Sequence, residues 1–543
     1  MQDFAELLDR LSFEPRRNAK LALLTDYFAS TPDPDRGLAL AALTGELDFR
    51  HAKPAMLRSL IGERTDPVLF ALSYDFVGDL SETIALMWPK REGANAAPPN
   101  LSEVVETLSK AGKTEVPGLV SGWLDTLDET GRWALLKLVT GGMRVGVSAR
   151  LAKTVVAGLG SLSPDDVEEV WHGLKPPYEA LFAWAEGGAE KPETNNPAPF
   201  RPPMLAHPID EADFERLQPE HFAAEWKWDG IRVQAVAGRE RNGATARKLF
   251  SRSGDDISAA FRDLVDEFDF DAAIDGELLV MIEGRVQSFN ALQQRLNRKT
   301  VTKALMNSAP VGIRAYDLLA LDGEDLRERP FEERRDRLED FLDRLGHPAL
   351  HVSPMVGFSS WAELASARED PARFDAGEDA AAIEGVMLKR RDAPYVPGRP
   401  KGLWFKWKRD PFLVDAVLMY AQRGHGKRSS YYSDYTFGVW REGELVPVGK
   451  AYFGFTDEEL LKIDRFVRNN TLNRFGPVRE VVHTSENGLV LEIAFEGIAR
   501  SKRHKSGLAM RFPRIARLRW DKPPAEADRI DLLEALVNDD EKA

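Results

Sequence analysis

Cysteine is absent from this 543-residue chain, which excludes disulfide bonds, thiol nucleophiles and zinc sites with cysteine ligands. Its 9 histidines include no i, i+4 pair around a glutamate, so the zinc-hydrolase pattern is missing as well. A metal would therefore be a hard cation held by carboxylates. No apolar run approaches the roughly 20 residues of a membrane helix, and the N-terminal MQDFAELLDRLSFEPRR lacks the apolar core of a signal peptide. We expect a cytoplasmic protein.

Positive charge is in deficit overall, because 73 Lys and Arg stand against 87 Asp and Glu, for a net charge of −14. That total argues against a phosphate-rich partner, but phosphate binding depends on local charge. Residues 498–522, IARSKRHKSGLAMRFPRIARLRWDK, contain nine Lys or Arg against one Asp. An anion-binding segment is therefore compatible with the acidic total.

The pattern of apolar residues changes along the chain and predicts its domains. Residues 1–185 are predicted to be helical, because segments such as NAKLALLTDYFAS and GRWALLKLVTGG place apolar residues at i, i+3, i+4. Residues 186–203, EGGAEKPETNNPAPFRPP, are typical of an interdomain linker. Residues 204–410 contain short strands and intervening helices, an α+β pattern. Residues 411–525 favour a small β-barrel, and 526–543 predict a short acidic helix and tail.

Short motifs in residues 204–410 carry charged side chains, and each alone is weak evidence. Lys227 lies in KWDG between two tryptophans, and a lone lysine of this kind more often packs its stem on an aromatic ring than acts as a nucleophile. The DGE at 275–277 and the EG at 384–385 could be turns at strand ends. Their order is more specific, because EWKWDGIR, SRS, DGE, AYDLL, EGVMLK and WFKWK follow one another before a C-terminal RFPR.

This ordered set resembles the covalent nucleotidyltransferase superfamily, in particular the ATP-dependent DNA ligases with a helical DNA-binding domain, an adenylation domain and an OB-fold. The resemblance covers nearly the whole chain. It implies an all-α DNA-binding domain over 1–185, an α+β adenylation domain of the nucleotidyltransferase, ATP-grasp-like type over 204–410, and an all-β OB-fold barrel over 411–525. It also implies ATP-dependent sealing of 3′-hydroxyl/5′-phosphate nicks in duplex DNA. The sequence shows no zinc finger or helix-hairpin-helix array, which disfavours NAD as the donor.

The resemblance also assigns the nucleotide site, residue by residue. Lys227 would become adenylated, and Glu225 would contact the adenine amino group. Tyr316 would stack on the base, and Arg232 and Glu277 match residues near the ribose.

Phosphate and metal ligands follow from the same motifs. Lys406 and Lys408 alternate on one strand and so share a face, from which they would brace the phosphates of ATP and disfavour the ammonium form of Lys227. A nucleophilic lysine needs this help because its free pKa is about 10.4. Glu277 and Glu384 are the carboxylates best suited to hold Mg²⁺, with Mn²⁺ as the alternative.

Several arginines complete the predicted site. Arg252 of FSRSG matches the residue that binds the 5′-phosphate of the nick, a task that suits a planar bidentate guanidinium. Arg399 matches a further basic residue ahead of WFKWK, although a loop arginine without a role fits nearly as well. Arg511 and Arg514 of RFPR resemble the motif that covers ATP and orients pyrophosphate. The further basic members of that motif are Arg517, Arg519 and Lys522.

Two other segments are predicted to contact DNA. TGGMRVGVSARLAK, at 140–153, resembles a backbone-binding segment, since helix N-termini and glycine amides suit phosphates; a helix cap at Gly141–Gly142 before a new helix is compatible with this. Its charged members are Arg144, Arg150 and Lys153. The loop QRGHGKRSSYYSDY, at 422–435, mixes basic and aromatic residues as nucleic-acid-binding loops do, or is a hairpin connection. Its predicted phosphate contacts are Arg423, Lys427 and Arg428.

Two rival interpretations stay open. An RNA ligase or mRNA-capping guanylyltransferase shares KxDG and the later motifs, but the large helical segment and the RFPR ending disfavour both. A nick-binding scaffold with a decayed site is disfavoured by the intact set of Lys227, Glu277, Glu384, Lys406 and Lys408. We expect a monomer that encircles nicked DNA, in a prokaryotic, nucleoid-associated setting.

Overall fold

The computed structural model describes residues 1–89, 97–194, 196–240, 243–296, 301–423, 432–501 and 504–537. Contacts divide the chain into two compact units, one made of Met1–Ala152 and Asp410–Ala543 and the other of Lys153–Arg409. Across the described ranges, no helix is long and apolar enough to cross a membrane.

Helices form the N-terminal segment, as its apolar spacing predicts. They are α1 Gln2–Phe13, α2 Arg17–Ser30, α3 Asp35–Thr44, α4 Pro54–Gly62, α5 Pro67–Val77, α6 Leu80–Met87, α7 Leu101–Lys110, α8 Val116–Thr126, α9 Glu129–Thr140, α10 Ala149–Ala157, α11 Pro164–Trp171 and α12 Glu179–Ala185. Phe4, Leu8 and Leu11 of α1 are buried on one face, as i, i+4, i+7 spacing requires. α9 ends at Gly141, whose φ of 68° is the left-handed conformation that a helix cap favours. The cap predicted there is confirmed.

The end of the helical segment differs from the prediction, because its contacts lie with residues 204–409. Arg327 Nη2 lies 3.2 Å from an oxygen of Glu169 on α11. The ring of His172, just after α11, packs on Phe250 with the centroids 5.0 Å apart. Phe200, within the expected linker, is buried in the same core. Glycine and proline content predicts an interdomain linker, but it does not reveal that Phe200 within it is buried.

The Lys153–Arg409 unit is built on two sheets. Its strands are β1 His207–Pro208, β2 Phe222–Trp228, β3 Ile231–Arg239, β4 Thr245–Ser251, β5 Ala272–Ile282, β6 Arg285–Val286, β7 Val311–Leu321, β8 Glu324–Asp325, β9 Leu350–Val352, β10 Met355–Val356, β11 Ile383–Arg390 and β12 Trp404–Lys408. One sheet has the order β1-β12-β11-β2-β10. The other follows β4-β3-β5-β7-β8, with β6 beside β5 and β9 beside β7. These strands fall where the turn-bounded apolar runs predict them.

Helices pack on both sheets of this unit. They are α13 Glu211–Phe214, α14 Arg262–Val265, α15 Phe289–Gln293, α16 Lys303–Ser308, α17 Phe331–Leu345 and α18 Trp361–Glu369. Leu338 and Phe341 of α17 are buried in one core with Ile274 of β5 and Leu318 of β7. Full burial of each such side chain contributes about 1.5–3 kcal/mol, so the sheet has a rigid backing.

The C-terminal residues are rich in β-strands, as predicted. The elements are β13 Phe412–Arg423, β14 Tyr432–Arg441, β15 Glu444–Ala451, α19 Asp457–Asn469, β16 Thr471–Phe475, β17 Val478–Val481, β18 Val490–Phe495, β19 Gly497–Arg500, β20 Leu508–Arg511, β21 Arg514–Arg519 and α20 Ile530–Ala535. A seven-stranded sheet follows β15-β14-β13-β17-β16, and β18 joins β13 to β21. Ile463 and Val467 of α19 are buried in one core with Tyr435 and Phe437 of β14.

A fully buried ion pair ties α17 to β7. Arg334 Nε and Nη2 donate to the two carboxylate oxygens of Asp317 at 2.7 and 2.9 Å, and both side chains are 0% exposed. Arg334 Nη1 also donates to the carbonyl of Ala393 at 3.1 Å. Every charge of the pair is therefore compensated, as burial requires.

We predict that Arg334→Met lowers the free energy of unfolding by about 3–5 kcal/mol, because Asp317 is left as an uncompensated buried charge. Urea unfolding followed by tryptophan fluorescence measures this change. The matched control is Arg390→Met, which removes a surface pair with Asp392 at 2.7 Å and should cost less than about 1 kcal/mol. Equal losses for the two variants would contradict the prediction.

Candidate active site

Neighbouring strands of the two sheets supply the predicted nucleotide site. Lys227 on β2, Glu384 on β11 and the pair Lys406 and Lys408 on β12 come from three adjacent strands of the first sheet. The second sheet supplies Arg232 from β3, Glu277 from β5 and Tyr316 from β7, and Arg252 directly follows β4. Motifs that are far apart in sequence therefore belong to one framework.

Glu384 bridges two lysines. Lys227 Nζ donates a hydrogen bond to Glu384 Oε1, and Lys408 Nζ lies 2.8 Å from Oε2. Burial raises the pKa of Glu384, but the two ammonium groups outweigh it and hold the pKa below its ordinary value. Glu384 is therefore a carboxylate at neutral pH, and it fixes the direction of the Lys227 amine.

A β-bulge sets the face on which Glu384 lies. The register between β11 and β2 shifts between Ile383 and Val386. Gly385 within it has φ 146°, and a Cβ there would lie 2.2 Å from the carbonyl oxygen of Trp407. Only glycine fits this approach. Because the extra residue changes the alternation, Glu384 and Lys389 contact the same face of β2 although they are five positions apart.

Glu277 is the second carboxylate of the site. It lies within electrostatic reach of Lys227 and Arg232, yet no hydrogen bond or ion pair with another described residue holds its side chain. Burial raises its pKa to about 8; Lys227 and Arg232 oppose the rise, and the negative charge of Glu384 adds to it. In the ligand-free protein Glu277 is therefore largely protonated at neutral pH, and a cation at this position would favour its ionised form.

Positive charge exceeds negative charge around these carboxylates. Burial lowers the pKa of Lys406, and repulsion from the neighbouring cations lowers it further. Burial also lowers the pKa of Arg252, with Arg232 and Arg399 contributing. We call the residues of this group the cation cluster: Lys227, Arg252, Arg399, Lys406 and Lys408. Five cations beside two carboxylates form a site suited to a polyanion.

Glu225 lies on the same strand and face as Lys227 but is 2% exposed. Arg335 Nη1 donates to its Oε1 at 2.8 Å, and Lys389 Nζ lies 2.8 Å from its Oε2. Lys389 Nζ also lies 4.4 Å from the centroid of the Tyr316 ring. Sequence reasoning missed both cations, although Lys389 is part of the quoted EGVMLK motif. The adenine contact of Glu225 stays a prediction, made by a carboxylate that already has two partners.

Arg232 is held by four hydrogen bonds. It donates to Asp275 from Nε at 3.1 Å and Nη2 at 2.6 Å, to the carbonyl of Met204 at 2.6 Å and to the Tyr395 hydroxyl at 3.0 Å. Asp275 and Tyr395 were not foreseen as its partners. These bonds anchor β3 to β5, and the ribose contact of Arg232 stays a prediction.

The helical segment presents its predicted DNA contacts unequally. Arg144 and Arg150 are exposed before and within the first turn of α10. Lys153 is buried, with Nζ 2.8 Å from Glu168 and 4.3 Å from the ring centroid of Trp171. The structure does not favour a DNA contact for Lys153, because its ammonium is already desolvated and paired.

The C-terminal candidates are partly held by local ion pairs. Arg423 lies 5.5 Å from the ring of Tyr432, while Lys427 and Arg428 are outside the described residues. Arg511 lies 5.2 Å from the ring of Phe512. The other members of the motif pair with carboxylates: Arg514 with Glu496 at 2.9 Å, Arg517 with Glu492 at 3.0 Å, Arg519 with Asp521 at 2.9 Å and Lys522 with Asp415 at 2.7 Å.

The raised pKa of Glu277 predicts a pH-dependent stability. The native state keeps a proton that the unfolded chain loses near its ordinary pKa of 4.5, so stability falls as pH rises towards about 8. In EDTA and without nucleotide, we expect the wild type to lose roughly 1 kcal/mol per pH unit relative to Glu277→Gln between about pH 5 and 8. Urea unfolding of both proteins across this range measures the difference, and parallel pH profiles would overturn the expectation.

Comparison with known proteins identifies the family. The model of the ATP dependent DNA ligase domain matches residues 203–408, and that of the ATP dependent DNA ligase C terminal region matches residues 428–522. A probable DNA ligase of Koribacter versatilis is 30% identical, over 99% of this chain and 96% of its own. DNA ligase 1 of Korarchaeum cryptofilum is 30% identical, over 98% and 97%.

A solved structure, Pmar-Lig_Pre, has the same overall fold, with a TM-score of 0.56 and 15% identity over 95% of this chain and 99% of that one. The two family models coincide with the segments that contain the nucleotide motifs and the C-terminal strands. The chain therefore belongs to the ATP-dependent DNA ligase family.

Proposed function

We propose that this DNA ligase seals 3′-hydroxyl/5′-phosphate nicks in duplex DNA with Lys227 as the residue that carries AMP. The observation that carries the assignment is the position of the Lys227 amine, held by Glu384 inside a cluster of five cations. A nucleophile for a triphosphate needs nearby positive charge and a fixed direction of attack, and this arrangement offers both.

In the first step Lys227 Nζ attacks the α-phosphorus of ATP. A nitrogen–phosphorus bond forms as the bond from that phosphorus to the bridging oxygen breaks, and pyrophosphate leaves with the electron pair. Nζ has to lose a proton, and Glu384 Oε1 is the hydrogen-bonded base beside it. Lys406 and Lys408 add positive charge that attracts the triphosphate.

Glu277 and Glu384 fit a Mg²⁺ or Mn²⁺ ion. Such an ion usually takes one or two carboxylates together with phosphate oxygens and water. The described ranges contain no cluster of three or more His, Asp or Glu side chains that could form a complete protein cage. An ion bound here would neutralise phosphate charge, and it would keep Glu277 ionised despite its raised pKa.

In the second and third steps the adenylate moves to DNA and is released. An oxygen of the 5′-phosphate attacks the phosphorus of lysyl-AMP, so that the lysine nitrogen leaves and DNA-adenylate forms. The 3′-hydroxyl then loses its proton, attacks the 5′-phosphorus and expels AMP. We assign the 5′-phosphate to Arg252, an exposed guanidinium next to Arg399 that has no ion pair with a described residue.

The remaining roles follow the family pattern. Glu225 and Tyr316 would hold adenine, and Arg232 would act near the ribose from its anchored position. Residues 411–525 would form an OB-fold whose Arg511 and Arg514 orient pyrophosphate, after release of the pair with Glu496. Arg144, Arg150 and Arg423 would contact backbone phosphates of duplex DNA, which a monomer would encircle through its helical, adenylation and C-terminal domains.

We predict that Lys227→Ala forms no lysyl-AMP and loses nick sealing by at least about 1,000-fold, since the nucleophile is removed. Incubation with labelled ATP, followed by denaturing electrophoresis, measures the covalent intermediate. Lys462→Ala, which removes an exposed lysine paired with Glu458, is the matched control and should be labelled normally. Nick sealing that is unaffected by Lys227→Ala would contradict the assignment of Lys227 as the nucleophile. Labelling of the enzyme from GTP, with none from ATP, would contradict the proposed ATP-dependent ligase activity.

We predict that Arg252→Ala reduces AMP transfer to DNA more than it reduces lysyl-AMP formation. The loss of a charged partner for the 5′-phosphate should lower the transfer rate of pre-adenylated enzyme by about 10- to 100-fold. Single-turnover assays with labelled enzyme and nicked duplex measure this rate. Arg373→Ala, which removes an exposed arginine paired with Asp370, is the control. An unchanged ratio of transfer to lysyl-AMP formation would exclude Arg252 from 5′-phosphate binding.

A further inference from the structure

The loop that carries Arg252 is closed by its own hydrogen bonds. Ser251 N donates to the carbonyl of Asp255 at 2.8 Å, and Gly254 N donates to that of Ser251 at 2.9 Å. Ser251 Oγ donates to the Asp255 carboxylate at 3.1 Å. We call residues 251–256 the phosphate loop. Its internal bonds fix its shape, and the β-bridge between Phe250 and Asp256 ties its end to β4. The rings beneath it are a second support.

Three aromatic rings lie beneath the phosphate loop. His172 packs on Phe200 and on Phe250 with centroids 5.4 and 5.0 Å apart, and Phe200 packs on Phe250 at 5.4 Å. Phe200 and Phe250 are 2% exposed. We call these residues the ring triad. Phe250 directly precedes the loop in β4, whereas His172 and Phe200 come from the segment before β1.

Gly254 is the point of contact between the ring triad and the loop. Its φ of 87° is left-handed, and a Cβ there would lie 3.0 Å from Phe200 Cε1 and 3.3 Å from His172 Nε2. The backbone of the loop therefore rests directly on the two rings.

Arg252 lies near two other arginines of the site. Burial lowers the pKa of its guanidinium, and Arg232 and Arg399 lower it further. No described carboxylate forms an ion pair with Arg252 that would hold it in place. Because its side chain is exposed, the position of Arg252 depends on the backbone of the phosphate loop.

His172 contributes bulk rather than charge. Burial lowers its pKa to about 4, with Lys153 adding to the effect and Asp255 and Asp256 opposing it, so the ring is neutral at neutral pH. Its Nε2 is buried without a hydrogen-bond partner among the described residues. Replacement by another aromatic ring therefore removes no hydrogen bond at this atom, whereas truncation leaves a cavity under Gly254.

We propose that His172 and Phe200 are positioning residues. They hold the phosphate loop, and with it Arg252, in the position needed to bind the 5′-phosphate of the nick. This inference rests on the proposed role of Arg252. It assigns part of nick recognition to the chain segment before the adenylation motifs. The two residues act through Gly254 and touch no reacting atom.

The test compares two rates for the full-length protein. We expect His172→Ala to lower the rate of AMP transfer from pre-adenylated enzyme to a 5′-phosphorylated nick by about tenfold relative to its rate of lysyl-AMP formation, since small misplacements of a binding group have such effects. The affinity ratio between 5′-phosphate and 5′-hydroxyl nicks should fall by a similar factor. His172→Phe, which keeps the ring, should restore both quantities to within about twofold.

The matched control is His347→Ala, which removes another half-buried histidine of the same unit. His347 Nε2 also has no hydrogen-bond partner among the described residues, and its ring lies 6.5 Å from that of Phe268. Its Nδ1 accepts a hydrogen bond from Ala349 N at 3.1 Å, so its truncation disturbs the local structure at least as much. Equal changes in transfer for His172→Ala and His347→Ala would overturn the inference, as would equal losses of lysyl-AMP formation and transfer in His172→Ala. If Arg252→Ala keeps its preference for a 5′-phosphate, the role of Arg252 fails. If only Arg252→Ala loses that preference, the role of Arg252 stands and the ring triad is not a positioning device.

Discussion

The close approach of the β11 backbone to Trp407 at Gly385 is the constraint on which the site depends. It forces a bulge, and the bulge brings Glu384 to the amine of Lys227 while Lys389 faces the same strand further along. Without the extra residue, strict alternation would put one of these two side chains on the opposite face. A backbone contact between two strands thus decides which charges meet.

For phosphate binding, the local distribution of charged residues in this protein matters more than the net charge of the chain. A chain with net charge −14 concentrates unpaired cations at one point, where Arg252, Arg399 and Lys406 have no ion pair with a described residue. Other basic residues are paired with carboxylates, as in the fully buried pair of Arg334 and Asp317. Local excess is what attracts phosphate, and local pairing prevents competition from the rest of the surface.

Local pattern predicts much of this structure, because the helices and strands follow apolar spacing and turn residues. The strands around Lys227, Glu277 and Glu384 lie where the motifs predict them, for this reason. The partners of Glu225 were not foreseen, since Arg335 is 110 residues away in sequence and only the tertiary fold brings it near. The same limit explains the expected linker, where composition gives no sign that Phe200 enters the core.

The ring triad shows that the core around the nucleotide motifs includes residues that precede those motifs. His172 and Phe200 precede β1, yet they belong to the core that supports the loop after β4. A fragment that begins at residue 204, where the nucleotide motifs start, would retain every predicted nucleotide ligand of the adenylation domain. It would lose the rings of His172 and Phe200 that pack against Gly254. The compact unit that contains these motifs, Lys153–Arg409, is therefore longer than the motifs and reaches back into the helical segment.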